Sequence, residues 1–453
     1  MTRRESKRRL FTKVLVANRG EIALRVIRAL REMGIASVQV YSETDRDSLP
    51  VQAADEAVCI GPGPARQSYL NVARILSAAN ITGAQAIHPG YGFLSENPDF
   101  ADAAVSSGIA FIGPSAATMR LLGDKIAARA RMKQAGVPVV PGSDGPLSDL
   151  RQVASLCLDL GFPVLVKAAA GGGGKGMRII RSADELEAGI RLCQAEARRS
   201  FDDERVYVEK YLSQARHIEV QVLADKSGRV VHLGERDCSA QRRHQKLVEE
   251  SPAPGLAVET RRLLGNWAVA AARAAGYEGA GTVEFICAPD GQCYFMEMNA
   301  RLQVEHPVTE MVTGVDIVQE QVRIAGGLPL SLVDNTEVLR GHAIECRIYA
   351  EDPDADFQPV SGYVHDLLLP AGPGVRVDSA LTPRSTVPPL YDPLVAKVIV
   401  WAPDRERAIA RMERALAETR VEGIPTTVGF LRRLLRNPSF QKGRVTTSML
   451  DEA

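Results

Sequence analysis

The sequence lacks a surplus of either charge, since its 453 residues contain 55 Lys plus Arg and 55 Asp plus Glu. A chain without net charge has no general attraction to nucleic acid or to an anionic membrane surface, so any partner must be recognised locally. The sequence also lacks an apolar run near the ~20 residues that a membrane-spanning helix needs. These absences argue against a nucleic-acid-binding protein and against a membrane protein.

Cysteine pairs spaced as CxxC are also absent. The odd number and scattered positions of the cysteines argue against a disulfide framework and against a zinc site, and favour a reducing cytoplasm. The basic start of the chain is followed by only a short apolar run at 14–17, which predicts a solvated tail and not a signal peptide. The seven cysteines are Cys59, Cys157, Cys193, Cys238, Cys287, Cys293 and Cys346.

The spacing of apolar residues predicts a chain of several regions. In the first, a strand at 13–18, a helix at 21–33 and a strand at 36–41 begin a βαβ pattern, which predicts a parallel sheet covered by helices. One helix over 119–135 and a Gly/Pro-rich linker follow. Apolar strands at 164–168 and 177–180 then flank a glycine-rich loop. The remainder alternates strands with helices, among them 260–275 and 404–419.

The glycine-rich loop formally matches GxGxxG, but a strand follows it where a dinucleotide-binding loop requires a helix. It also lacks the GK[ST] ending of a P-loop. Four consecutive glycines lose much conformational entropy when ordered, which the alternative of a simple hairpin turn does not explain. We therefore interpret the loop as a flap whose N–H groups close over phosphates, with Lys167 as a nearby positive charge. The loop consists of Gly171, Gly172, Gly173, Gly174, Lys175 and Gly176.

Asp290-Gly291 is a strong signal for a two-residue hairpin turn and lies between two strand-forming stretches. With that turn, Glu284 and Glu297 face each other across the hairpin, and Asn299 lies two residues further along the same face. Two carboxylates about 5 Å apart repel by roughly 3 kcal/mol at an effective dielectric constant of about 20. Mg²⁺ arriving with nucleotide phosphates would remove this conflict. The alternative is two glutamates in water on an exposed face.

Two dense clusters of charged and polar residues occupy 235–246 and 301–307. A solvated charged loop is the usual interpretation of one such run, but the second cluster directly follows the carboxylate hairpin. Cations such as Lys246 and Arg301 suit an anionic substrate, and Glu305 beside them is a candidate base.

Five motifs occur in order along the chain: ANRGEIA at 17–23, HPGYGFLSEN at 88–97, ERDCSAQRRHQK at 235–246, EMNARLQVEH at 297–306 and ECRI at 345–348. Together they closely resemble biotin carboxylase, over about residues 12–448. The resemblance implies an ATP-grasp fold of the α/β and α+β classes. It implies a Rossmann-like N-terminal domain at 12–118, an ATP-grasp domain at 119–330 with a mobile glycine-loop lid at about 139–212, and a C-terminal biotin carboxylase domain at 341–448.

The resemblance also implies roles for individual residues. The metal ligands, for Mg²⁺ or Mn²⁺, are expected to be Glu284, Glu297 and Asn299, which agrees with the hairpin argument. The expected catalytic residues are Glu305 as the base, Arg347 as the cation that stabilises the biotin enolate, Arg301 and Lys246. Bicarbonate and biotin are expected to contact Lys246, Arg301, Gln303, the Val304 backbone and Arg347. ATP is expected to contact Lys125, Lys167, Gly171, Gly172, Gly173, Gly174, Gly176, Glu209, Lys210, Leu212, His217, Gln241 and His244.

The implied activity is that of a ligase, which uses ATP and bicarbonate to carboxylate biotin through carboxyphosphate. No Met-Lys-Met biotin-attachment motif occurs in the sequence, so biotin is expected on a separate biotin carboxyl carrier protein. The chain is expected to be a cytoplasmic homodimer that works with carboxyltransferase subunits. Acetyl-CoA carboxylase, in fatty acid synthesis, is the expected assembly, and a propionyl-CoA or pyruvate carboxylase, another ATP-grasp ligase, or a nucleotide-binding module without turnover are the alternatives.

Two positions depart from the family pattern. Ala168, Ala169 and Ala170 lead into the flap where the family often has a serine and an extra glycine, and slower flap closure is expected. Tyr349 stands where many members carry asparagine. Neither position is an expected catalytic residue.

Overall fold

A computed structural model describes residues 10–147, 149–171, 176–332 and 339–450 of the chain. The strands of its first region are β1 (Lys13–Val16), β2 (Ala36–Ser42), β3 (Glu56–Gly61), β4 (Ala86–His88) and β5 (Ala110–Phe111), with helices α1 (Gly20–Glu32), α2 (Leu49–Ala53), α3 (Val72–Thr82) and α4 (Pro98–Ser106) between them. They form a parallel sheet in the order β3-β2-β1-β4-β5. Helices cover both faces of such a sheet, and Val14, Leu15 and Val16 of β1 are accordingly fully buried.

Two helices, α5 (Ala116–Gly123) and α6 (Lys125–Gln134), replace the single helix that was predicted over 119–135. The break falls at Asp124, which has an extended backbone and accepts hydrogen bonds from the N–H groups of Ile126 and Ala127. Aspartate is well suited to this N-cap position, and continuous apolar spacing on both sides concealed the break. The break places Lys125 in the first turn of α6, where its N–H donates to the Ala169 carbonyl at 2.9 Å.

The lid is a three-stranded antiparallel sheet backed by two helices. It comprises α7 (Leu150–Leu160), β6 (Val164–Ala168), β7 (Met177–Ile180), α8 (Leu186–Phe201) and β8 (Val206–Lys210), with strand order β7-β6-β8. The flap connects β6 to β7, and Gly172, Gly173, Gly174 and Lys175 lie outside the described residues. Gly171 and Gly176 have φ angles of 99° and 68°, in the region that favours glycine. A Cβ atom on Gly171 would also lie 2.2 Å from the Phe201 ring, so this position requires glycine.

The body of the protein is one large antiparallel sheet with helices packed against it. After the lid, the strands are β9 (Arg216–Ala224), β10 (Val230–Arg242), β11 (Gln245–Ser251), β12 (Gly279–Cys287), β13 (Cys293–Asn299), β14 (His342–Tyr349), β15 (Glu351–Asp352), β16 (Gln358–Pro359), β17 (Gly362–Tyr363), β18 (Asp366–Leu368), β19 (Val375–Ser379), β20 (Thr386–Val387), β21 (Leu394–Ala402) and β22 (Arg420–Glu422). Eight of them form the large sheet in the order β13-β12-β9-β10-β11-β14-β21-β19. The helices are α9 (Val258–Ala274), α10 (His306–Thr313), α11 (Ile317–Ala325), α12 (Arg405–Glu418), α13 (Val428–Leu435) and α14 (Pro438–Gln441).

A shared apolar core joins the parallel sheet to the large sheet. Leu15 and Ile87 of the parallel sheet and Ile218, Val283 and Phe285 of the large sheet belong to one buried cluster. Because protein cores are close-packed, this cluster holds the two sheets in a fixed relation. Within the described ranges, no helix has both the length and the apolar character needed to cross a membrane.

Candidate active site

The β12–β13 hairpin places Glu284 directly opposite Glu297, and Thr282 opposite Asn299, as predicted. The predicted two-residue turn, however, is wrong. The Gly291 N–H donates to the Ala288 carbonyl at 3.0 Å, and only Gly291 in the loop has a positive φ, of 86°. A two-residue turn of the Asp-Gly type needs positive φ at both central residues, and Asp290 does not have it. Such a turn would also pair Pro289 with Gln292, but proline has no N–H to donate, so the loop takes three residues, 289–291.

A β-bulge restores the register of the hairpin between the turn and the glutamates. Phe285 lies opposite Phe295, whereas Glu284 lies opposite Glu297, so Met296 is an extra residue on β13. The bulge shifts the pairing by one residue and thereby cancels the one-residue difference at the turn. The glutamates therefore face each other because two local irregularities compensate.

Cys287 and Cys293 are opposite each other at the end of this hairpin and form a disulfide, with 4.0 Å between their Cα atoms. The expectation drawn from cysteine spacing, against any disulfide framework, is wrong for this pair. Spacing along the chain says little here, because the pairing register brings the two residues together. Cys59, Cys157, Cys193, Cys238 and Cys346 are free thiols.

Basic side chains compensate the charges of the facing glutamates. Lys125 Nζ contacts Glu297 Oε2, Lys246 Nζ donates to Glu284 Oε1 at 3.1 Å, and His217 Nε2 lies 3.1 Å from Glu284 Oε2. Burial alone would raise the pKa of Glu284, but Lys246 and His217 hold that pKa well below its usual range. Burial is likewise outweighed at Glu297, whose pKa Lys125 lowers. Both carboxylates are therefore ionised and able to bind a cation.

The donor set suits a hard divalent cation. Asn299 donates its amide N–H to Glu284 Oε1 at 2.8 Å, which brings the amide beside the two carboxylates. Anionic and amide oxygens are the ligands that Mg²⁺ prefers. A second buried cluster, formed by His217, Glu219 and Glu284, brings three ligand atoms within 4.8 Å. Glu219 pairs with the fully buried Arg236, whereas the lysines that pair with Glu284 and Glu297 are partly exposed, so the cluster of Glu284, Glu297 and Asn299 fits the ion better.

Replacing Glu297 by glutamine should raise the Mg²⁺ concentration needed for half-maximal ATP turnover by about 10-fold or more, because losing one anionic ligand costs at least ~1.4 kcal/mol in a site of this kind. A Mg²⁺ titration of the turnover rate measures the change. Glu278, which is partly exposed and lies outside the site, provides the control variant Glu278→Gln. An unchanged midpoint in the Glu297 variant would remove this residue from the metal site.

Glu305 lies at the N-cap of α10 and is fully buried. Its Oε1 accepts a hydrogen bond from Lys246 Nζ at 2.6 Å, and its Oε2 accepts one from Arg347 Nη2 at 2.9 Å. Burial would raise the pKa of Glu305, but Lys246, Arg347 and Arg236 together hold it well below its usual range. The carboxylate is thus ionised at neutral pH. Its pKa rises, and it becomes a stronger base, when these cations bind another anion instead.

Three further charged residues, which sequence reasoning missed, support this centre. Glu219 accepts from Lys246 Nζ at 2.7 Å and from the fully buried Arg236 at 2.5 Å. Glu249 accepts from Arg347 Nε at 2.5 Å. Polar residues at every second position of an apolar strand, as in the stretch His217-Ile-Glu-Val-Gln221, were an available signal for Glu219.

Arg301 lies at the opposite wall of the centre. Its guanidinium donates to Glu96 Oε2 at 3.0 Å, to Gln303 Oε1 at 3.0 Å and to Asn299 Oδ1 at 3.2 Å. Glu96 belongs to the motif at 88–97 but had no expected role. Through Asn299, Arg301 links the predicted metal ligands to the predicted bicarbonate contacts.

A cavity of about 900 Å³ between lid and body brings the predicted residues together. Of the predicted site residues that the structure describes, all except Gly171, Gly176 and Glu305 line it. Glu305 lies directly behind two lining residues, Lys246 and Arg347. The predicted residues among those that line it are Lys125, Lys167, Glu209, Lys210, Leu212, His217, Gln241, His244, Lys246, Glu284, Glu297, Asn299, Arg301, Gln303, Val304 and Arg347.

Comparison with known proteins decides the family. A model of the biotin carboxylase N-terminal domain matches residues 10–119, and one of the biotin carboxylase C-terminal domain matches residues 345–452. Between them, the ATP-binding domain of the carbamoyl-phosphate synthase L chain matches residues 124–333. The biotin carboxylase of Nostoc sp. is 55% identical over 442 residues, which cover 98% of this chain and 99% of that protein. The chain belongs to the biotin carboxylase family.

Solved structures of biotin carboxylases share the whole fold. A complex of the Campylobacter jejuni biotin carboxylase with β,γ-ATP has a TM-score of 0.95 at 47% identity, covering 98% of this chain and 99% of that one. The biotin carboxylase domain dimer of Hydrogenobacter thermophilus 2-oxoglutarate carboxylase, with MgADP, ADP and bicarbonate, has a TM-score of 0.94 at 48% identity and covers 98% of both chains. The expected ATP-grasp fold with a Rossmann-like N-terminal region is confirmed, and the chain is an enzyme of the ligase type.

Proposed function

We propose that the cleft between lid and body binds MgATP and bicarbonate, and that Lys246, Glu305 and Arg347 carry out the chemistry of biotin carboxylation there. The products are carboxybiotin, ADP and phosphate. The observation that carries this proposal is the hydrogen-bonded series Lys246–Glu305–Arg347, which lies at one end of a cavity that also holds two ionised glutamates. A base between two cations, next to a metal-type carboxylate pair, suits the attack of one anion on another.

The nucleotide half of the proposal uses the lid side of the cavity. Lys125 and Lys167 face the phosphates, and the flap from Gly171 to Gly176 closes over them. Glu209 pairs with Arg129 at 2.5 Å and with Lys167 at 3.1 Å, while Lys210 Nζ donates to the Gly161 carbonyl at 2.7 Å. Because both side chains are engaged, these residues and Leu212 offer adenine mainly their backbone groups. His217, Gln241 and His244 complete the nucleotide wall.

Glu284, Glu297 and Asn299 would hold Mg²⁺, which neutralises phosphate charge and helps the terminal phosphoryl group accept a nucleophile. To admit it, Lys125 must release Glu297, and Lys246 must release Glu284. Each freed ammonium then finds a new anionic partner in the phosphates or in bicarbonate. The ion pairs Lys125–Glu297 and Lys246–Glu284 are therefore the contacts that these lysines make before the substrates bind.

Bicarbonate lies, in this proposal, among Lys246, Arg301, Gln303 and the Val304 backbone. When Lys246 turns to bicarbonate, Glu305 loses a hydrogen-bonding cation and its basicity rises, so that it accepts the bicarbonate proton. The resulting oxyanion attacks the γ-phosphate, the bond to the β-phosphate oxygen breaks and ADP leaves, and the carboxyphosphate so formed breaks down to CO₂ and phosphate. Phosphate then takes the biotin N1′ proton while Arg347 stabilises the enolate form, and N1′ attacks the carbon of CO₂ to give carboxybiotin. The closed lid keeps water from the labile intermediate.

Biotin reaches this cleft on a carrier protein, and we propose carboxyltransferase subunits as further partners and a homodimer as the working form. The Hydrogenobacter relative, itself a domain dimer, is part of a 2-oxoglutarate carboxylase. Acetyl-CoA carboxylase in fatty acid synthesis is our first choice of assembly, and a carboxylase of another acyl-CoA or of a keto acid is the alternative. The division into domains at 12–118, 119–330 and 341–448 belongs to the same proposal.

The direct test follows ADP release and carboxybiotin formation with free biotin as acceptor. We expect ADP release to require both Mg²⁺ and bicarbonate and to increase when biotin is added, with carboxybiotin formed in step. ADP release that does not depend on bicarbonate but requires an amine would instead identify another ATP-grasp ligase. Nucleotide binding without any turnover would identify a regulatory module.

A further inference from the structure

Lys397 is a fully buried lysine on β21 that no step above uses. Its Nζ donates a hydrogen bond to the Val304 carbonyl oxygen at 2.9 Å. Val304 directly precedes Glu305 in the chain. Burying an ammonium group is costly unless it is paired, so this lysine must be compensated by nearby anions.

Two carboxylates compensate the charge of Lys397. Glu21 Oε1 of α1 lies 3.3 Å from Nζ, and Asp378 Oδ2 of β19 lies 3.9 Å away. Both carboxyl oxygens of Glu21 are buried without a hydrogen-bond partner, and burial, opposed by the charge of Lys397, raises the pKa of Glu21 to about 7. Glu21 belongs to the motif at 17–23, for which no role in catalysis was found. Lys397 therefore joins the first region, the last region and the segment that follows the carboxylate hairpin.

Lys397 also lies directly opposite Arg347 in the β14–β21 pairing. Paired residues project to the same face of a sheet, so Lys397 lies beside Arg347, which lines the cleft. Arg347 holds the side chain of Glu305, and Lys397 holds the backbone of Val304. The consecutive residues Val304 and Glu305 are thus held by two cations that lie opposite each other on β21 and β14.

The Val304 carbonyl belongs to the peptide unit that joins Val304 to Glu305. A charge-assisted hydrogen bond to this oxygen restrains the rotation of that unit. The restraint sets the direction of the Glu305 side chain on one side of the unit and of the Val304 N–H on the other. Both groups belong to the bicarbonate half of the cleft, whereas the nucleotide contacts lie on other elements.

We propose that Lys397 is a positioning residue for bicarbonate, acting through the Val304–Glu305 peptide unit, with Glu21 as its counter-charge. This inference rests on the bicarbonate site of the proposed function. Lys397 therefore influences the KM for bicarbonate and leaves the KM for ATP unaffected. A purely structural residue in the core would change both constants together or only the melting temperature.

The test measures both KM values and the melting temperature with free biotin as acceptor. Lys397→Met alone leaves Glu21 buried without a counter-charge and is expected to destabilise the fold. The double variant Lys397→Met with Glu21→Gln removes both charges and avoids that penalty. The matched control is Lys13→Met, because Lys13 Nζ has the same kinds of partner, the Thr82 carbonyl at 2.7 Å and Glu56 at 2.6 Å, far from the cleft.

We expect the double variant to fold and to raise the KM for bicarbonate by about 10- to 100-fold, since misplacing a positioning group by about 1 Å costs up to about 100-fold. The KM for ATP should change by less than about twofold, as should both constants in the control. An unchanged KM for bicarbonate, an equal rise in both constants, or loss of folding in both Lys397 variants would overturn the inference. If the wild-type protein shows no bicarbonate-dependent turnover, the proposed function fails instead.

Discussion

Replacing Glu305 by glutamine will reduce bicarbonate-dependent ADP release by about 10²- to 10⁴-fold, the usual contribution of a general base. Glutamine keeps the size of the side chain but cannot accept the bicarbonate proton. Lys246 and Arg347 both donate to this carboxylate, at 2.6 and 2.9 Å, so the variant also loses an anion between two cations. Nucleotide affinity should stay close to that of the wild-type protein, because Glu305 does not line the nucleotide part of the cavity. Steady-state kinetics and calorimetric titration with ADP measure the two effects.

Glu345→Gln is the matched control for this experiment. Glu345 is equally buried, but neither of its carboxyl oxygens has a hydrogen-bond partner. Burial raises the pKa of Glu345 well above its usual range, so the side chain is already neutral and glutamine imitates it. The control should therefore retain most of the activity. Equal losses in the two variants would mean that Glu305 acts only through the stability of the core.

Replacing Arg347 by alanine should abolish biotin carboxylation while ADP still binds. The guanidinium donates to Glu249 and Glu305, and it is the cation placed to stabilise the biotin enolate. The same substitution leaves two buried carboxylates without their partner, which costs about 3–5 kcal/mol of folding stability. Carboxybiotin formation, ADP titration and thermal unfolding record the three consequences separately.

A second variant separates chemistry from stability at this position. Arg347→Met combined with Glu249→Gln removes a buried cation together with an anion, so the fold should recover most of its stability. The burial of Glu249, although opposed by Arg347, raises its pKa to about 7, so once Arg347 is removed the carboxyl group is neutral at pH 7 and glutamine is a close substitute. Carboxylation of biotin should remain absent in this double variant. Normal biotin turnover in either Arg347 variant would remove this residue from the mechanism.

The sequence was informative wherever local rules decide the structure. The βαβ pattern gave the parallel sheet directly. The pairing of Glu284 with Glu297 was predicted from a turn that proved wrong, and it is correct only because the β-bulge at Met296 offsets the longer turn. Predictions from local sequence were wrong where two local signals favour different structures. Pro289 overrode the Asp-Gly turn signal, and Asp124 capped a new helix inside a continuous apolar pattern.

Long-range partners could not be predicted from a single sequence. Arg236 and Glu219 meet because β9 and β10 pair, and Glu249 meets Arg347 because β11 pairs with β14. The Cys287–Cys293 disulfide likewise depends on the pairing register. Such contacts arise between residues whose separation along the chain carries no local signal. The five sequence motifs identified the family, whereas the charge network around Glu305 required the structure.

In the proposed mechanism, an oxygen of bicarbonate attacks the γ-phosphate of ATP in the cleft that contains Lys246, Glu305 and Arg347. The most direct measurement uses bicarbonate labelled with ¹⁸O in the presence of MgATP and free biotin. Mass spectrometry of the released phosphate should show one oxygen atom that came from bicarbonate in each phosphate formed. Phosphate that carries oxygen only from ATP and water would rule out this mechanism, because water and not bicarbonate would then be the nucleophile.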